Sequence, residues 1–375
     1  MLLVIYGLVI LVALLFKVPK FYWLVCAGCL CLLVNTTNTY ADLYNYTNIF
    51  DDIGLYGEIQ NEEGLQGFIP LGWQAICLIL YNLGFSYRGM IVLMIILSCF
   101  LIHCFVSRFN TSEGKFWALF MLFPSLVQCV QLRFFVASSI VFYFLQFLFI
   151  GGKNKRGILI YILGVFLAFL IHSSMIVFLG FIIVPFLDKL KYKTMIICAL
   201  IICVITSLVR NRLASTISLL GIISESRMDR YIYDQEHVAE SGGIFRIALL
   251  YIMSVAFSLF FTNQTHRPIL RESTTLDDNN TSVIKSMNCF VLLMVFTLPL
   301  LLFDGSFFRF IEIGYCMSYC LGAWYWMRSE KPLKEKLLIT LLFCLPIAYA
   351  MRIYYIADTF LYPFFEFYGF HSIFR

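Results

Sequence analysis

An apolar run of 35 residues, 116–150, constrains the fold more than any other stretch, because an arginine lies near its middle. The run is too long for one membrane-spanning helix, which needs about 20 residues. A charge such as Arg133 costs at least ~2.5 kcal/mol at membrane depth. Gln128 and Gln131 precede it, and Pro124 favours a break in the helix. The run therefore predicts a helical hairpin with Arg133 at its tip, where two short helices meet.

The rest of the chain is equally apolar. Its residues are 61% hydrophobic and only 13% charged, and its mean hydropathy is +0.87. These values are typical of an all-α polytopic membrane protein. The apolar segments predict one integral membrane domain over residues 1–375, with about 12 transmembrane helices that include short helical hairpins. Most cysteines lie in apolar runs, where they behave as small hydrophobes. No CxxC has histidines at zinc spacing, so we expect no metal site.

Charged turns assign the two sides of the membrane. The first turn contains Lys17 and Lys20, whereas the loop at 40–66 is rich in acidic residues and has neither Lys nor Arg. Cytoplasmic loops carry an excess of Lys and Arg. The first turn is therefore predicted to be cytoplasmic, and 40–66 to be an outer loop. A second outer loop is predicted at 210–243.

Two further basic turns, at 151–156 and 188–193, test this topology. If both are cytoplasmic, the segments 116–150 and 157–187 must each leave the cytoplasmic side and return. Each segment is then a hairpin, and the outer tips carry Arg133 and His172. Helices of about 15 residues rise only ~23 Å, so we expect these tips to lie below the outer surface and to line a water-filled cavity.

Arginines that fall on the outer side are the most informative charges. Lysine is absent from the predicted outer segments, although either residue would serve as a topology signal. The planar guanidinium favours bidentate binding of oxyanions such as phosphate. Arginines within the second predicted outer loop have an alternative role to anion binding, because acidic residues nearby can pair with them. Four arginines next to apolar segments are therefore candidates for an anion site: Arg133, Arg246, Arg309 and Arg352.

Other candidates have two interpretations each. His172 follows an apolar helix and precedes two serines, so it either completes the helix terminus or transfers a proton or contacts phosphate. Asp42 is either a helix N-cap or a carboxylate that takes a proton from a sugar hydroxyl. Tyr44 and Tyr46 fit an aromatic belt, and flat rings of this kind also stack on sugars.

These residues occur in an order that is similar to one protein family. Asp42 with its two following tyrosines precedes a long outer loop. Later come four short motifs: Gln131-Leu132-Arg133, Ile171-His172-Ser173-Ser174, Phe308-Arg309-Phe310 and Tyr362-Pro363-Phe364. The chain resembles, over nearly its whole length, the EpsG group of Wzy-type polysaccharide polymerases. It departs from the family pattern after Arg133, where Phe134 replaces the usual glutamine.

The resemblance implies a GT-C-like membrane glycosyltransferase that polymerises O-antigen, capsule or exopolysaccharide. Its donor and acceptor would both be undecaprenyl-pyrophosphate-linked oligosaccharides, on the outer, periplasmic side of the bacterial cytoplasmic (inner) membrane. The growing chain would move from its carrier onto a new lipid-linked repeat unit. We expect membrane lipids, a chain-length regulator and a flippase as partners, and we expect no cofactor and no nucleic acid.

Residue roles follow from this resemblance and from the charges. Asp42, His172 and Arg133 are expected to be catalytic. Substrate contacts are expected from six further residues: Arg309, Arg246, Tyr44, Tyr46, Gln131 and Arg352.

Two other classes of protein remain open. A flippase or transporter of the same lipid-linked oligosaccharide would also place arginines in a cavity, but transporters of many folds show internal repeats, and this sequence has none. An O-acyltransferase acting on polysaccharide would centre on His172 and would leave the arginines unexplained.

Overall fold

The computed structural model describes residues 2–37, 43–57, 69–109, 112–151, 154–187, 192–208, 241–269, 277–302, 308–329 and 331–356. All regular elements in these ranges are helices. The α-helices are α1 Leu2–Leu15, α2 Tyr22–Thr36, α3 Leu43–Tyr56, α4 Leu71–Asn82, α5 Tyr87–Arg108, α6 Glu113–Leu122, α7 Ser125–Val130, α8 Leu132–Gly151, α9 Lys155–Ile171, α10 Val184–Leu187, α11 Tyr192–Leu208, α12 Ser241–Ile269, α13 Asp277–Leu293, α14 Phe308–Arg328 and α15 Leu333–Ile356. Two 3₁₀ segments, Ser173–Ile183 and Met294–Leu302, precede α10 and α14.

Several helical stretches have the length or composition of membrane spans. Among the described residues, three are long and apolar enough to cross a membrane: Tyr87–Arg108, Leu132–Ile150 and Ser282–Pro299. Five shorter apolar stretches accompany them: Leu2–Leu15, Tyr22–Thr36, Leu71–Asn82, Ser173–Leu187 and Ala248–Thr262. The predicted all-α membrane protein is confirmed at this level. The total of about 12 spans stays a prediction.

The two predicted outer loops differ in what the structure describes. The first, 40–66, is predicted as loop throughout but contains the helix α3. Its residues 40–42 and 58–66 lie outside the described residues. Of the second loop, 210–243, only the start of α12 at Ser241 is described.

The residues group into two compact units. The first contains Met1–Phe144, Ile162–Val177 and Ile347–Arg375, and the second contains Leu145–Tyr161 and Phe178–Pro346. The single domain predicted for residues 1–375 stays a prediction.

In the first unit, α1, α2, α5 and α6 pack as antiparallel neighbours. The Tyr22 hydroxyl donates to the Val9 carbonyl at 2.6 Å, which joins α2 to α1. Arg88 at the start of α5 donates to the Asn35 carbonyl near the end of α2. At the other end of this pair, Trp23 stacks on His103 with ring centroids 5.4 Å apart. Side-chain contacts at both ends therefore fix the register of α2 against α5.

The helical reversals predicted at residues 131 and 172 are present. Phe116 and Phe120 of α6 pack against Phe142 and Phe135 of α8, and the Tyr161 hydroxyl of α9 donates to the Phe178 carbonyl beyond His172. Pro124 separates α6 from α7, and α8 begins directly after Gln131. Helices α8 and α9 run antiparallel, because Phe134 contacts His172 at one end and Gly164 lies against Phe144 further along. A Cβ at Gly164 would overlap the Phe144 ring, so the two helices approach closely only with glycine there.

The expected helix length of about 15 residues is wrong for one helix of these hairpins. Helix α8 has 20 residues rather than the expected ~15, and a helix of that length rises ~30 Å. That rise matches the hydrocarbon core of a bilayer. Arg133 lies in the first turn of α8, near the end of a full-length span, so a tip sunk below the outer surface does not follow from the length of α8.

The second unit is built around α12, α13 and α14. The Tyr251 hydroxyl donates to the Val291 carbonyl at 2.8 Å, which joins α12 to α13. The Tyr251 ring also meets Tyr315 of α14 edge-on, with centroids 5.6 Å apart. Phe181 packs against Phe290 of α13 at 4.5 Å. Aromatic side chains thus form the interior of this unit.

Candidate functional site

Arg133 and Tyr46 form the centre of the candidate site. The Arg133 Nη2 donates to the Tyr46 hydroxyl at 2.9 Å. The guanidinium carbon lies 5.1 Å from the centroid of the same ring, within cation–π distance. Arg133 is half-buried, and its Nε is buried without a hydrogen-bond partner. One donor of the guanidinium is therefore left over for a ligand.

Helix α3 delivers Tyr46 to this position. Its apolar residues Ile49, Phe50 and Ile53 recur on one face and are buried. Phe50 packs against Tyr81 of α4, with ring centroids 5.7 Å apart. At Gly54, a Cβ would overlap the Tyr81 ring, so α3 lies directly against α4. The packing of α3 thereby fixes the ring that holds Arg133.

His172 reaches the same part of the first unit through Phe134. The Phe134 and His172 rings meet edge-on, with centroids 5.5 Å apart and planes at 88°. The His172 Nδ1 lies 2.7 Å from the Ser174 Oγ, in a hydrogen bond that orients the imidazole. Because Phe134 is the neighbour of Arg133 in the chain, the structure brings Arg133 and His172, two of the three predicted catalytic residues, to one end of the α8–α9 pair.

Two glutamine side chains lie just before Arg133. Gln128 in α7 is 2% exposed, and its Oε1 has no hydrogen-bond partner in the described protein. Gln131 is half-buried between α7 and α8, and its Oε1 is buried and likewise unpartnered. The backbone of both residues is bonded, since Gln128 N donates to the Pro124 carbonyl and Gln131 N to the Val127 carbonyl. Their side-chain oxygens are left as unused acceptors.

The remaining predicted residues lie elsewhere or are not described. Asp42 lies outside the described residues. Tyr44 is 77% exposed. Residues two apart on a helix point about 200° apart, so the side chain of Tyr44 does not point in the same direction as that of Tyr46. Arg309 is half-buried in the first turn of α14. At Arg246 in α12 and Arg352 in α15, the structure describes only the backbone.

Some buried polar residues were missed as candidates. Gln128 was noted only as a neighbour of Arg133. Glu312 in α14 is fully buried, although a carboxylate inside an apolar run is costly and is by default a functional hypothesis. In the sequence, Glu312 lies about one turn after Arg309. The apolar residues around both give no separate indication of a functional carboxylate.

This arrangement can bind an oxyanion next to hydroxyl groups. The guanidinium supplies charge and a free donor, the glutamine oxygens supply acceptors, and His172 supplies an oriented imidazole. Within the described ranges, no group of three or more His, Cys, Asp or Glu side chains could hold a metal ion.

The described residues define a polytopic helical membrane protein, and comparison with known families identifies its family. The family model described as "EpsG family" matches residues 20–366, which is most of the chain. The chain belongs to the EpsG family, a Wzy-like polysaccharide polymerase family. The resemblance inferred from the motifs is therefore confirmed. No curated protein and no solved structure matches the chain.

Proposed function

We propose that this protein is a membrane glycosyltransferase that polymerises undecaprenyl-pyrophosphate-linked oligosaccharide repeat units into surface polysaccharide, on the outer side of the cytoplasmic membrane. Family membership supports a polysaccharide polymerase. The observation that carries the finer proposal is the half-buried Arg133, which Tyr46 holds while its Nε stays available. A fixed guanidinium with a spare donor suits a pyrophosphate leaving group.

In the proposed reaction, a hydroxyl oxygen of the acceptor attacks the anomeric carbon of the donor sugar. A glycosidic C–O bond forms, and the bond between the anomeric carbon and the pyrophosphate oxygen breaks. Undecaprenyl pyrophosphate leaves with the bonding electron pair. Arg133 stabilises the negative charge that develops on this group, and Arg309, Arg246 and Arg352 are proposed as further contacts to it.

The proton of the attacking hydroxyl needs an acceptor, and the chain offers two candidates. Asp42 precedes α3, four residues before Tyr46. His172 lies at the other side of Phe134, with its ring oriented by Ser174. Tyr44, Tyr46 and Gln131 are proposed to contact the sugar, through ring stacking and through the amide.

Replacing Arg133 with lysine tests this proposal. Lysine keeps the charge but loses the planar fork, so Arg133→Lys should lose about 10- to 100-fold in activity. The polymer ladder on a gel should shorten, and single lipid-linked repeat units should accumulate. The matched control is Arg108→Lys, an exposed arginine in the last turn of α5, which should be silent. Full activity in Arg133→Lys would contradict the proposed contact between Arg133 and the pyrophosphate.

The side of the membrane distinguishes this proposal from a flippase. In the Arg133→Lys strain, single repeats should appear in the outer leaflet, whereas an inactive flippase would leave them in the cytoplasmic leaflet. Cysteine labelling in a cysteine-depleted background should find positions 55 and 172 reactive from outside and position 154 protected. Labelling of position 154 from outside would contradict the proposed orientation.

A further inference from the structure

The unpartnered polar atoms at Arg133 and just before it include both hydrogen-bond acceptors and a donor. Gln128 Oε1 and Gln131 Oε1 are hydrogen-bond acceptors, and Arg133 Nε is a donor. All three are buried, they lie within six consecutive residues, and Gln128 is 98% buried. Buried polar groups without partners are rare in folded proteins and call for an explanation at each position.

Local structure does not explain these three atoms. Helix α7 ends at Val130, and Gln131 lies between α7 and α8. The backbone stays bonded through this break, because Phe135 N donates to the Gln131 carbonyl at 3.0 Å and Gln131 N donates to the Val127 carbonyl at 3.1 Å. The glutamine side chains therefore do not cap a helix end. Apolar residues would fill the same space at lower cost.

A pyrophosphate alone does not match this set of atoms. An ionised pyrophosphate has acceptor oxygens, which suit Arg133 Nε but cannot bond to a carboxamide oxygen. A hydroxyl group both donates and accepts. A sugar with neighbouring hydroxyls can donate to the two glutamine oxygens and accept from the guanidinium. The atoms therefore fit a sugar that adjoins the anion.

We propose that Gln128 and Gln131 bind hydroxyl groups of the sugar attached to the pyrophosphate, and that Arg133 contacts both parts of the substrate. This inference rests on the proposed function, since it names which part of the lipid-linked substrate each side chain recognises. The glutamines then decide which sugar the site accepts, whereas Arg133 recognises a feature common to all such donors.

The opposite orientation of the carboxamides makes a different prediction. If the glutamines presented Nε2 instead of Oε1, they would be donors and would bind the pyrophosphate together with Arg133. Loss of either glutamine would then weaken binding of every pyrophosphate lipid, with or without a sugar.

Binding of two lipids to the purified full-length protein in nanodiscs separates these alternatives. The probes are undecaprenyl pyrophosphate without sugar, and the lipid-linked repeat unit extracted from cells that lack this protein. Gln128→Met should weaken binding of the lipid-linked repeat unit about tenfold and leave undecaprenyl pyrophosphate unchanged. Arg133→Lys should weaken both. Gln146→Met replaces another buried glutamine, 13 residues beyond Arg133 in α8, and should change neither.

Gln131→Met provides a second variant at a half-buried position if Gln128→Met does not fold, and the same selective loss is expected. An equal loss for both lipids in these variants, or no loss for either, would overturn the inference. If the wild-type protein bound neither lipid, the proposed function would fail and the inference with it. Binding of both lipids by the wild type with equal losses in the variants would overturn this inference alone.

Discussion

Two cations of the first unit, Lys115 in α6 and Arg133 in α8, are used in different ways. Lys115 is 7% exposed, and its Nζ donates to the Ala13 carbonyl at 3.3 Å and to the Leu14 carbonyl. Arg133 is half-buried, donates to the Tyr46 hydroxyl, and keeps a buried Nε without a partner. Lys115 is hydrogen-bonded to backbone carbonyls, whereas Arg133 has an unused donor.

The difference separates a structural cation from a binding one. The last carbonyls of a helix have no partner within the helix, and a cation at that end is favourable. Lys115 meets this need at the C-terminus of α1. Nearby, the His103 Nδ1 lies 3.1 Å from Glu113 Oε2, a contact that is an ion pair when the imidazole is protonated. At the Arg133 end, the unpartnered atoms call for a ligand.

Among the variants that test these roles, Asp42→Asn should have the largest effect. If Asp42 takes the proton, this variant should lose 10²–10⁴-fold in polymer formation, with protein level and binding of the lipid-linked repeat unit unchanged. If Asp42 only caps α3, asparagine should serve equally well. Ladder length on a gel and a binding measurement check both parts, and near-normal polymer would remove Asp42 from the mechanism.

Replacing both cations with methionine tests the comparison directly. Lys115→Met should lower the free energy of unfolding by about 1–3 kcal/mol, because the carbonyls at the end of α1 lose their partner. Activity per folded molecule should stay as in the wild type. Arg133→Met should show the reverse pattern, with little change in melting temperature and loss of polymer. Thermal unfolding in detergent and a polymer assay measure the two effects, and a stability loss in both variants would make both cations structural.

Tyr46→Phe should have a smaller effect, which measures how much the Tyr46 hydroxyl contributes to activity. The variant keeps the ring near the guanidinium and removes only the hydroxyl, so activity should fall by about 2- to 10-fold. The loss should appear in kcat more than in KM if Tyr46 positions Arg133 for the transition state. Tyr46→Leu, which also removes the ring, should lose more. Equal activities of the two variants would mean that the hydroxyl alone matters.

Glu113→Gln should have the smallest effect. The side chains of the His103–Glu113 pair are 18% and 12% exposed, and the contact joins the end of α5 to the start of α6. Pairs near a surface contribute about 0–1 kcal/mol. Activity should be unchanged and thermal stability nearly so. Loss of polymer in this variant would show that the Lys115 end of the unit also takes part in the reaction.

The hairpins could be predicted from sequence because several independent signals agreed. A 35-residue apolar run, Pro124, a mid-run arginine and flanking basic turns allow few other arrangements. The proximity of Arg133 and His172 followed from the same argument, since two adjacent hairpins that return to one side have neighbouring tips. The contact through Phe134 confirms it.

Other features escaped because their signal was weak or distant in the sequence. Helix α3 lies in an acidic segment whose composition predicts a loop, although Ile49, Phe50 and Ile53 have helical spacing. The contacts of Lys115 with Ala13 and Leu14 join positions about 100 residues apart, which charge patterns cannot reveal.

The close contact between Gly54 and the Tyr81 ring has a consequence for how the protein responds to its bilayer. Helix α3 is held by packing against α4, with no room for a methyl group between them. Its distance from Arg133 is therefore set by protein contacts rather than by lipid thickness. The contact between Tyr46 and Arg133 should therefore persist when the acyl chains of the lipids shorten or lengthen. A cell could then change its membrane lipids without altering the geometry of this site.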